Sequence, residues 1–458
     1  MGLFHQYFTH NFMTNLKSET HSLLTGTVRL RVTIAVSFLS FFYSAILDYM
    51  LPLYFSIGAG FSKGLWSSLV VWQFAPWCFT PILAGLLARR YGEKQVWAVA
   101  LMAQALVPVA LCLFHKPWAL MLISFCGGIS GALMWVSAIS LLQVVPLERK
   151  GYANGLVMVS LGAGSLLAPL VGRAILWREQ VFLLANGNDW SGVAAFLVNL
   201  TRPEHNPTGH NFTLILYGLA IIKLICAIAI WAYALRPGHF AGDPSQASPS
   251  SVLTDLRLLL SNPRFWALTI ALCLIGGPMF QANNQYLRYR AEDIGLISGA
   301  QDRGWSTLQL VRALMLLPGG IAVGFFAGRR AAGIFAVVLL GCFAITCGSI
   351  GWASTVGMLF LSSACFEMVR QLMRWSQTGY LSEHMPARLR SCAIGCSVTC
   401  SGLGATIFGF LTNLYMNPSD PSFNSAEPFW LAAGIGVIGA IGLYFFNRNY
   451  PIRETIKP

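Results

Sequence analysis

Three charged side chains stand inside an otherwise apolar stretch of the sequence and have the spacing of a binding face. Glu367, Arg370 and Arg374 lie within FEMVRQLMRWSQ, whereas residues 356–365 before them carry no charge. The i, i+3, i+7 spacing places all three on one face of a helix. Because a charge at the centre of a lipid-facing helix costs about 2.5–3.5 kcal/mol, we expect this face to line an aqueous cavity. Arginine there would bind a carboxylate or a phosphate through paired hydrogen bonds.

The same three charges also have a purely structural explanation. Glu367 and Arg370 would then form an ion pair that only holds the helices in place. Arg374 would extend its side chain toward the cytoplasmic headgroups, as long basic side chains do near membrane surfaces. The spacing is compatible with a binding face and with a structural pair, so both hypotheses stay open.

Single charges in other apolar runs extend the predicted site. Asp48 lies in SAILDYMLPLYF, and its shielded carboxyl group is a candidate carrier of a coupling proton, with Glu367 as the second candidate. Lys223 lies deep in its run, so we expect it to bind an anionic solute group together with Arg370. Arg312 lies nearer the end of its run, where its side chain could simply extend to the headgroups. Bases outnumber acids among these deep charges, which favours an anionic solute.

Neutral polar and aromatic side chains complete the predicted binding site. Amides can hydrogen-bond a solute, and indole rings can stack on one. Each of these residues, taken singly, is also explained by packing between helices. The predicted neutral members of the site are Gln73, Gln104, Trp135, Gln281 and Asn284.

Long apolar helices must hold these charges in the membrane, and the composition predicts such helices. Of the 458 residues, 55% are hydrophobic and only 10% are charged, whereas soluble proteins carry roughly 25% charged residues. The apolar runs are about 20 residues long, enough to cross the hydrocarbon core as helices. We therefore predict an all-α polytopic membrane protein with twelve transmembrane helices in two pseudo-symmetric bundles of six. The runs cover residues 32–57, 65–88, 95–114, 117–144, 152–176, 212–235, 264–286, 306–328, 331–351, 355–381, 392–415 and 428–447.

Basic residues outside these runs predict how the chain is oriented in the membrane and where its cytoplasmic segments lie. Most of them fall on the side that holds both termini, and an excess of Lys and Arg marks the cytoplasmic side of a membrane. This distribution explains the net charge of +13 without a nucleic-acid-binding face. We divide the chain into a cytoplasmic N-terminal segment (1–31), a first bundle (32–235), a cytoplasmic linker (236–263), a second bundle (264–447) and a cytoplasmic tail (448–458).

Two short sequences recur at the same separation along the chain and indicate an internal repeat. The Arg-Arg pair of GLLARRYGEK at 89–90 recurs in GFFAGRRAAG at 329–330. PLERKGYANG at 146–155 recurs as PARLRSCAIG at 386–395. Because six spans restore the starting orientation, we expect the two halves to be parallel repeats.

The architecture and one of these loops resemble the major facilitator superfamily of secondary transporters. GLLARRYGEK is similar to that family's signature between the second and third spans, which belongs to the cytoplasmic gate. Arg89 replaces the signature's aspartate, and Gly328 replaces it in the second half, so the family's usual latch between the halves is altered here. The resemblance implies a cytoplasmic gate that includes Gly85, Arg89, Arg90, Gly92, Arg329 and Arg330.

The predicted fifth span resembles a glycine and proline motif of antiporters in the same family. Gly164, Pro169 and Gly172 in GAGSLLAPLVG match the motif, whereas Ala168 and Arg173 replace glycines. Small residues spaced by four also let membrane helices pack closely, which explains the run without antiport. The motif therefore favours export only weakly.

Together with this resemblance, the charges predict a secondary active transporter rather than an enzyme. We expect it to move a small polar organic solute, with an anionic group favoured, by alternating access and with protons as the coupling ion. The alternatives are a proton-driven multidrug exporter and a receptor or scaffold that keeps the fold without transport. We find no ATP-binding or metal-ligand motif, so we expect no cofactor and no metal. We expect a monomer in the inner or plasma membrane, with the bilayer, a small solute and protons as partners and no nucleic acid.

Overall fold

The computed structural model describes parts of all twelve predicted spans and few of the loops between them. The described residues form helices and contain no β-strand. The repeat segment at 146–155 lies outside them. The described residues are 28–53, 63–142, 159–171, 212–233, 257, 259–261, 263–278, 286–297, 303–326, 334–384, 387–416, 420 and 422–449.

Each predicted apolar run overlaps at least one helix of the described chain. A segment surrounded by lipid must satisfy its own backbone hydrogen bonds, and a helix does so within a single segment. The described α-helices are α1 (Val28–Leu53), α2 (Lys63–Phe74), α3 (Thr80–Tyr91), α4 (Glu93–Leu113), α5 (Pro117–Leu142), α6 (Val159–Val171), α7 (Phe212–Tyr233), α8 (Pro263–Gly277), α9 (Leu287–Asp293), α10 (Arg303–Phe326), α11 (Ile334–Trp352), α12 (Val356–His384), α13 (Ala387–Tyr415) and α14 (Glu427–Asn449).

Seven helices in the described part of the chain are long and apolar enough to cross a membrane on their own. They are α4, α5, α7, α11, α12, α13 and α14. Together α2 and α3 make an eighth if they are counted as one bent span. These helices confirm the prediction of an all-α polytopic membrane protein.

The predicted second span is interrupted rather than continuous. A 3-10 turn at Ala75–Cys78 separates α2 from α3, and the two segments are bent by 43°. Pro76 lies in the turn and Pro81 lies at the start of α3. Because proline lacks a backbone N–H and its ring clashes with the preceding turn, these residues account for the break.

The helices pack mainly within the two predicted halves. In the first half α7 packs against α4 and α1, and α4 packs against α5. In the second half α11 packs against α14 and α12, and α10 also packs against α12. Helix α13 is the exception, because it contacts both α8 and the bent α2–α3 segment of the first half. It therefore forms a seam between the halves.

The seam between α3 and α13 is close because glycines line it. A Cβ atom on Gly85 would lie 2.6 Å from the main-chain oxygen of Ser391. One on Gly395 would lie 2.4 Å from the main-chain oxygen of Pro81. Ser391 also donates a hydrogen bond to the Glu93 carboxylate over 3.3 Å. The halves thus touch beside the predicted cytoplasmic gate without the family's usual aspartate.

Candidate functional site

A central cavity of about 260 Å³ lies between helices of the two predicted halves. Helices α1, α2, α4, α5 and α6 line it from the first half, and α10 and α12 line it from the second. The volume is close to the lower end of the range for small-molecule sites, ~300–1,000 Å³. Its lining includes the predicted site residues Asp48, Gln73, Gln104, Trp135, Glu367 and Arg370, together with Arg312 and Gln371.

Glu367 and the three side chains that bond to it, Arg312, Arg370 and Gln371, form the polar part of the second half's wall and are here called the Glu367 cluster. Glu367 accepts hydrogen bonds from Arg312 over 2.8 Å, from Gln371 over 2.9 Å and from Arg370. The first donor comes from α10, and the other two come from the next turn of α12. Arg312 also donates to Gln309 over 2.9 Å. The side chains of Glu367 and Arg312 are only 3% and 5% exposed, so this carboxylate is buried and fully engaged.

The position of Arg312 corrects one expectation from the sequence. Its side chain does not extend to the headgroups; it is buried against Glu367. Arg312 was missed as a site residue because its partner lies in another span. The sequence did contain a signal for this ion pair, namely an intramembrane base in one span and an intramembrane acid in another. Pairing the two requires the relative rotation of α10 and α12, which non-local packing decides.

The Glu367 cluster presents a net positive charge to the central cavity, because one carboxylate is shared by two guanidinium groups. The Nε donors of Arg312 and Arg370 and the side-chain oxygen of Gln371 have no hydrogen-bond partner in the described protein. Buried donors and acceptors without partners are unfavourable. A solute oxygen that reached these donors would remove part of that penalty.

Asp48 lies on α1 and lines the central cavity from the first half. Its side chain is exposed and lines the cavity. It interacts electrostatically with Arg370, Arg312 and Glu367, yet it forms no hydrogen bond or ion pair with any described residue. The cavity therefore has an acidic wall on the first half and a basic wall on the second.

Amide and aromatic side chains of the first half also line the central cavity. The Tyr43 hydroxyl donates a hydrogen bond to the main-chain oxygen of Gln104 over 3.1 Å. The side-chain oxygen of Gln104 has no partner among the described residues, and Gln73 is half-buried in the same lining. Trp135 packs edge-to-face on Phe41 with ring centroids 5.5 Å apart. This part of the cavity offers hydrogen bonds and a flat apolar surface.

Lys223 is not brought to the central cavity. Its side chain is fully buried, and its Nζ atom lies 3.2 Å from Met134 Sδ and 4.2 Å from the centre of the Tyr43 ring. Met134 and Tyr43 both line the cavity, so Lys223 lies one layer of side chains behind its wall. The reason is that α7 packs behind α1 and α4 and does not itself reach the cavity.

The predicted cytoplasmic gate is described only in part. Gly92 ends α3 with a φ of 90°, a conformation that favours glycine. Arg90 is exposed and stacks its guanidinium over the Tyr91 ring at 5.2 Å. The remaining predicted site residues lie outside the described structure, wholly or in their side chains; they are Arg89, Arg374, Gln281, Asn284, Arg329 and Arg330.

Comparisons with known proteins identify the family. Residues 33–409 match the Major Facilitator Superfamily. A tetracenomycin C resistance and export protein from Streptomyces glaucescens is 28% identical over 169 residues, which are 35% of this chain and 30% of that protein. The chain thus matches less than a third of that relative's length.

Solved structures share the fold at low sequence identity. A bacterial homologue of the human lysosomal transporter Spinster has a TM-score of 0.63 and 15% identity, covering 94% of this chain and 100% of that chain. A point variant of the E. coli fucose:proton symporter FucP has a TM-score of 0.60 and 16% identity, covering 90% of this chain and 98% of that chain. These similarities concern the fold alone.

The family match covers most of the chain, and the described helices are those of an integral membrane protein. Members of this family are transporters that bind small molecules, which confirms the expectation of a transporter and not an enzyme. The chain belongs to the Major Facilitator Superfamily.

Proposed function

We propose that the protein is a proton-coupled secondary transporter that moves a small polar organic solute with an anionic group by alternating access. The observation that carries this proposal is the Glu367 cluster, where Arg312 and Arg370 share one carboxylate in the wall of the central cavity. Charges interact more strongly in a protein interior than in bulk water. An excess positive charge there therefore favours an anionic group in the solute.

Arg370 is the residue that we assign to the anionic group. Its side chain is 14% exposed, against 5% for that of Arg312. Arg312 is held by both Glu367 and Gln309, so Arg370 has more freedom to turn toward a solute. While the site is empty, Glu367 would hold the guanidinium of Arg370 in position.

The rest of the solute would contact the neutral part of the lining. Gln73 and Gln104 supply amides, and Trp135 supplies a flat apolar surface. Lys223 would act indirectly, because its ammonium group packs on the Tyr43 ring behind the cavity wall. Further proposed members of the site are Arg374, Gln281 and Asn284.

Asp48 is the residue that we assign to the coupling proton, with Glu367 as the alternative. Protonation of Glu367 would weaken three hydrogen bonds, two of which come from charged donors. Asp48 has no such bonds to lose within the described residues. Because Asp48 lies in a cavity between the halves, alternating access would expose its proton to each side of the membrane in turn.

Uptake of labelled solutes into proteoliposomes, with and without a pH gradient, tests the proposed function. We expect at least one small anionic or dipolar solute to accumulate only when the gradient is present. Protein-free liposomes provide the baseline, and collapsing the gradient with an ionophore should stop accumulation. Uptake of equal extent with and without the pH gradient would contradict proton coupling. Binding without any uptake or exchange would favour the receptor or scaffold.

A proton-driven multidrug exporter is the second candidate function. The similarity to a tetracenomycin C resistance and export protein supports it over part of the chain. Aromatic side chains in the lining, such as Phe41, Trp66 and Trp135, would suit planar drugs. The basic wall argues against drugs that carry only positive charge. Uptake of fluorescent planar dyes into inverted membrane vesicles, dependent on a pH gradient, would favour this candidate.

A further inference from the structure

The charged groups of the central cavity are divided between its two walls. Within the described residues, Asp48 is the charged side chain on the first half's wall, and Arg312, Glu367 and Arg370 are those on the second. One wall is therefore negative and the other is positive by the same amount. The sequence predicted an excess of bases, but Lys223 lies behind the wall. The described cavity is neutral as a whole, with a negative pole at Asp48 and a positive pole at the Glu367 cluster.

The two poles do not neutralise each other directly. Asp48 interacts electrostatically with Arg370 and Arg312 but forms no ion pair with either. The hydrogen bonds of the Glu367 carboxylate all come from its own half. Each pole thus lines the same cavity without an ion pair to the other half, within the described residues. Asp48 is exposed to the cavity, and the Glu367 cluster has one positive charge in excess, so a solute that pairs with both poles would be favoured.

We infer that the transported solute is zwitterionic, with an ammonium group that pairs with Asp48 and a carboxylate or phosphate group that pairs with Arg370. This inference rests on the proposed function, because it takes the central cavity as the solute site. A monoanion would satisfy Arg370 and leave Asp48 unpaired, and a monocation would do the reverse. A solute with both groups meets both halves of the protein at once.

The cavity also restricts the segment between the two charged ends. Its volume of about 260 Å³ admits a small molecule only. The cavity lining also includes Phe41, Leu69, Trp135 and Leu161, together with the amides of the glutamines. We therefore expect a short, mainly apolar segment between the amine and the acid, as in amino acids and their close derivatives.

Thermal stabilisation of the purified full-length protein tests this inference with matched probes. A ligand that binds the folded state raises the unfolding temperature as its concentration exceeds the dissociation constant. The zwitterions are leucine, 4-aminobutyrate and phosphoethanolamine. Their analogues without the amine are 4-methylpentanoate, butyrate and ethyl phosphate, and those without the acid are 3-methylbutylamine, propylamine and ethanolamine. At least one zwitterion should bind about tenfold or more tightly than both of its analogues. No such preference in any set would overturn the inference.

Replacing an acidic residue by its amide tests the position of the ammonium site, with a second replacement as the control. Asp48→Asn should weaken binding of the preferred zwitterion about ten- to a hundredfold and should not weaken binding of its amine-free analogue. Glu427→Gln is the matched control, because Glu427 is an exposed acid at the start of α14 and does not line the cavity. Unchanged zwitterion binding in Asp48→Asn would overturn the inference.

The same assay separates failure of this inference from failure of the proposed function. If a monoanion binds as well as its zwitterion and Arg370→Lys weakens both, the solute is a simple anion and the proposed function stands. If Arg370→Lys changes the binding of neither, the proposed anion site fails as well.

Discussion

The Glu367 carboxylate of α12 lies 2.8 Å from a terminal guanidinium nitrogen of Arg312 in α10. Both side chains line the central cavity, so the pair joins two helices and also fixes charge in the cavity wall. A buried ion pair needs additional hydrogen bonds to offset the desolvation of its charges. Gln309 provides one for Arg312, and Gln371 provides one for Glu367.

Removing Arg312 should strongly destabilise the protein. Arg312→Met leaves the buried Glu367 carboxylate with one positive neighbour instead of two. Breaking a buried ion pair by removing one partner costs about 3–5 kcal/mol, and the remaining Arg370 contact places the expected loss at the lower end. Thermal unfolding in detergent measures it, and Arg448→Met, at an exposed position near the end of α14, is the control. Equal unfolding temperatures for the two variants would contradict a buried pair.

Arg370→Lys should weaken solute binding while the charge is conserved. A lysine cannot reproduce the planar two-donor fork of arginine. The loss of one hydrogen bond to a charged group corresponds to about 1.5–3 kcal/mol, roughly ten- to a hundredfold in affinity. Equilibrium binding to detergent-solubilised protein measures the change. Arg374→Lys should do much less if Arg374 only extends to the headgroups. Normal binding by Arg370→Lys, together with reduced stability, would mark Arg370 as a structural residue.

The seam between the halves should be sensitive to one added methyl group. Gly395→Ala places a Cβ atom 2.4 Å from the main-chain oxygen of Pro81, so α3 and α13 must move apart. Overpacking of this kind typically costs about 1–3 kcal/mol. Gly442→Ala is the control, because nothing lies within 4 Å of its added Cβ atom. Equal thermal stability of the two variants would show that the helices do not approach as described.

Lys223 should affect solute binding less than Arg370 does. Its Nζ atom contacts Met134 and the Tyr43 ring, so a solute in the central cavity would not touch it. Lys223→Met should therefore change the affinity by less than Arg370→Lys in the same binding assay. A loss as large as that of Arg370→Lys would indicate that Lys223 reaches the solute in another state of the transport cycle.

The sequence predicted those features of the fold that depend on local patterns. Apolar runs predicted helices at the right places, because a membrane-spanning chain has few other ways to satisfy its backbone. The i, i+3 spacing correctly placed Glu367 and Arg370 on one face. The prolines that break the second span are present in the sequence, but they did not predict the break, because a membrane helix often tolerates a proline without one.

The candidate site could be predicted only in part, because its contacts join distant segments. The sequence supplied Asp48, Glu367 and Arg370 as charged members of the cavity lining. It did not pair Arg312 with Glu367, since that depends on how α10 packs on α12. The sequence predicted that Lys223 lies deep in its span, but depth does not determine whether a side chain faces a cavity or the interior of one half.

Asp48 is proposed to couple proton movement to transport through the central cavity. The most direct test of this role compares wild type and Asp48→Asn in proteoliposomes, using the solute that most stabilises the purified protein. Wild type should accumulate this solute when a pH gradient is imposed and exchange it without one. Asp48→Asn should lose the pH-driven accumulation and keep exchange at saturating solute, because an amide cannot carry the proton. Accumulation with unchanged pH dependence in Asp48→Asn would contradict the claim.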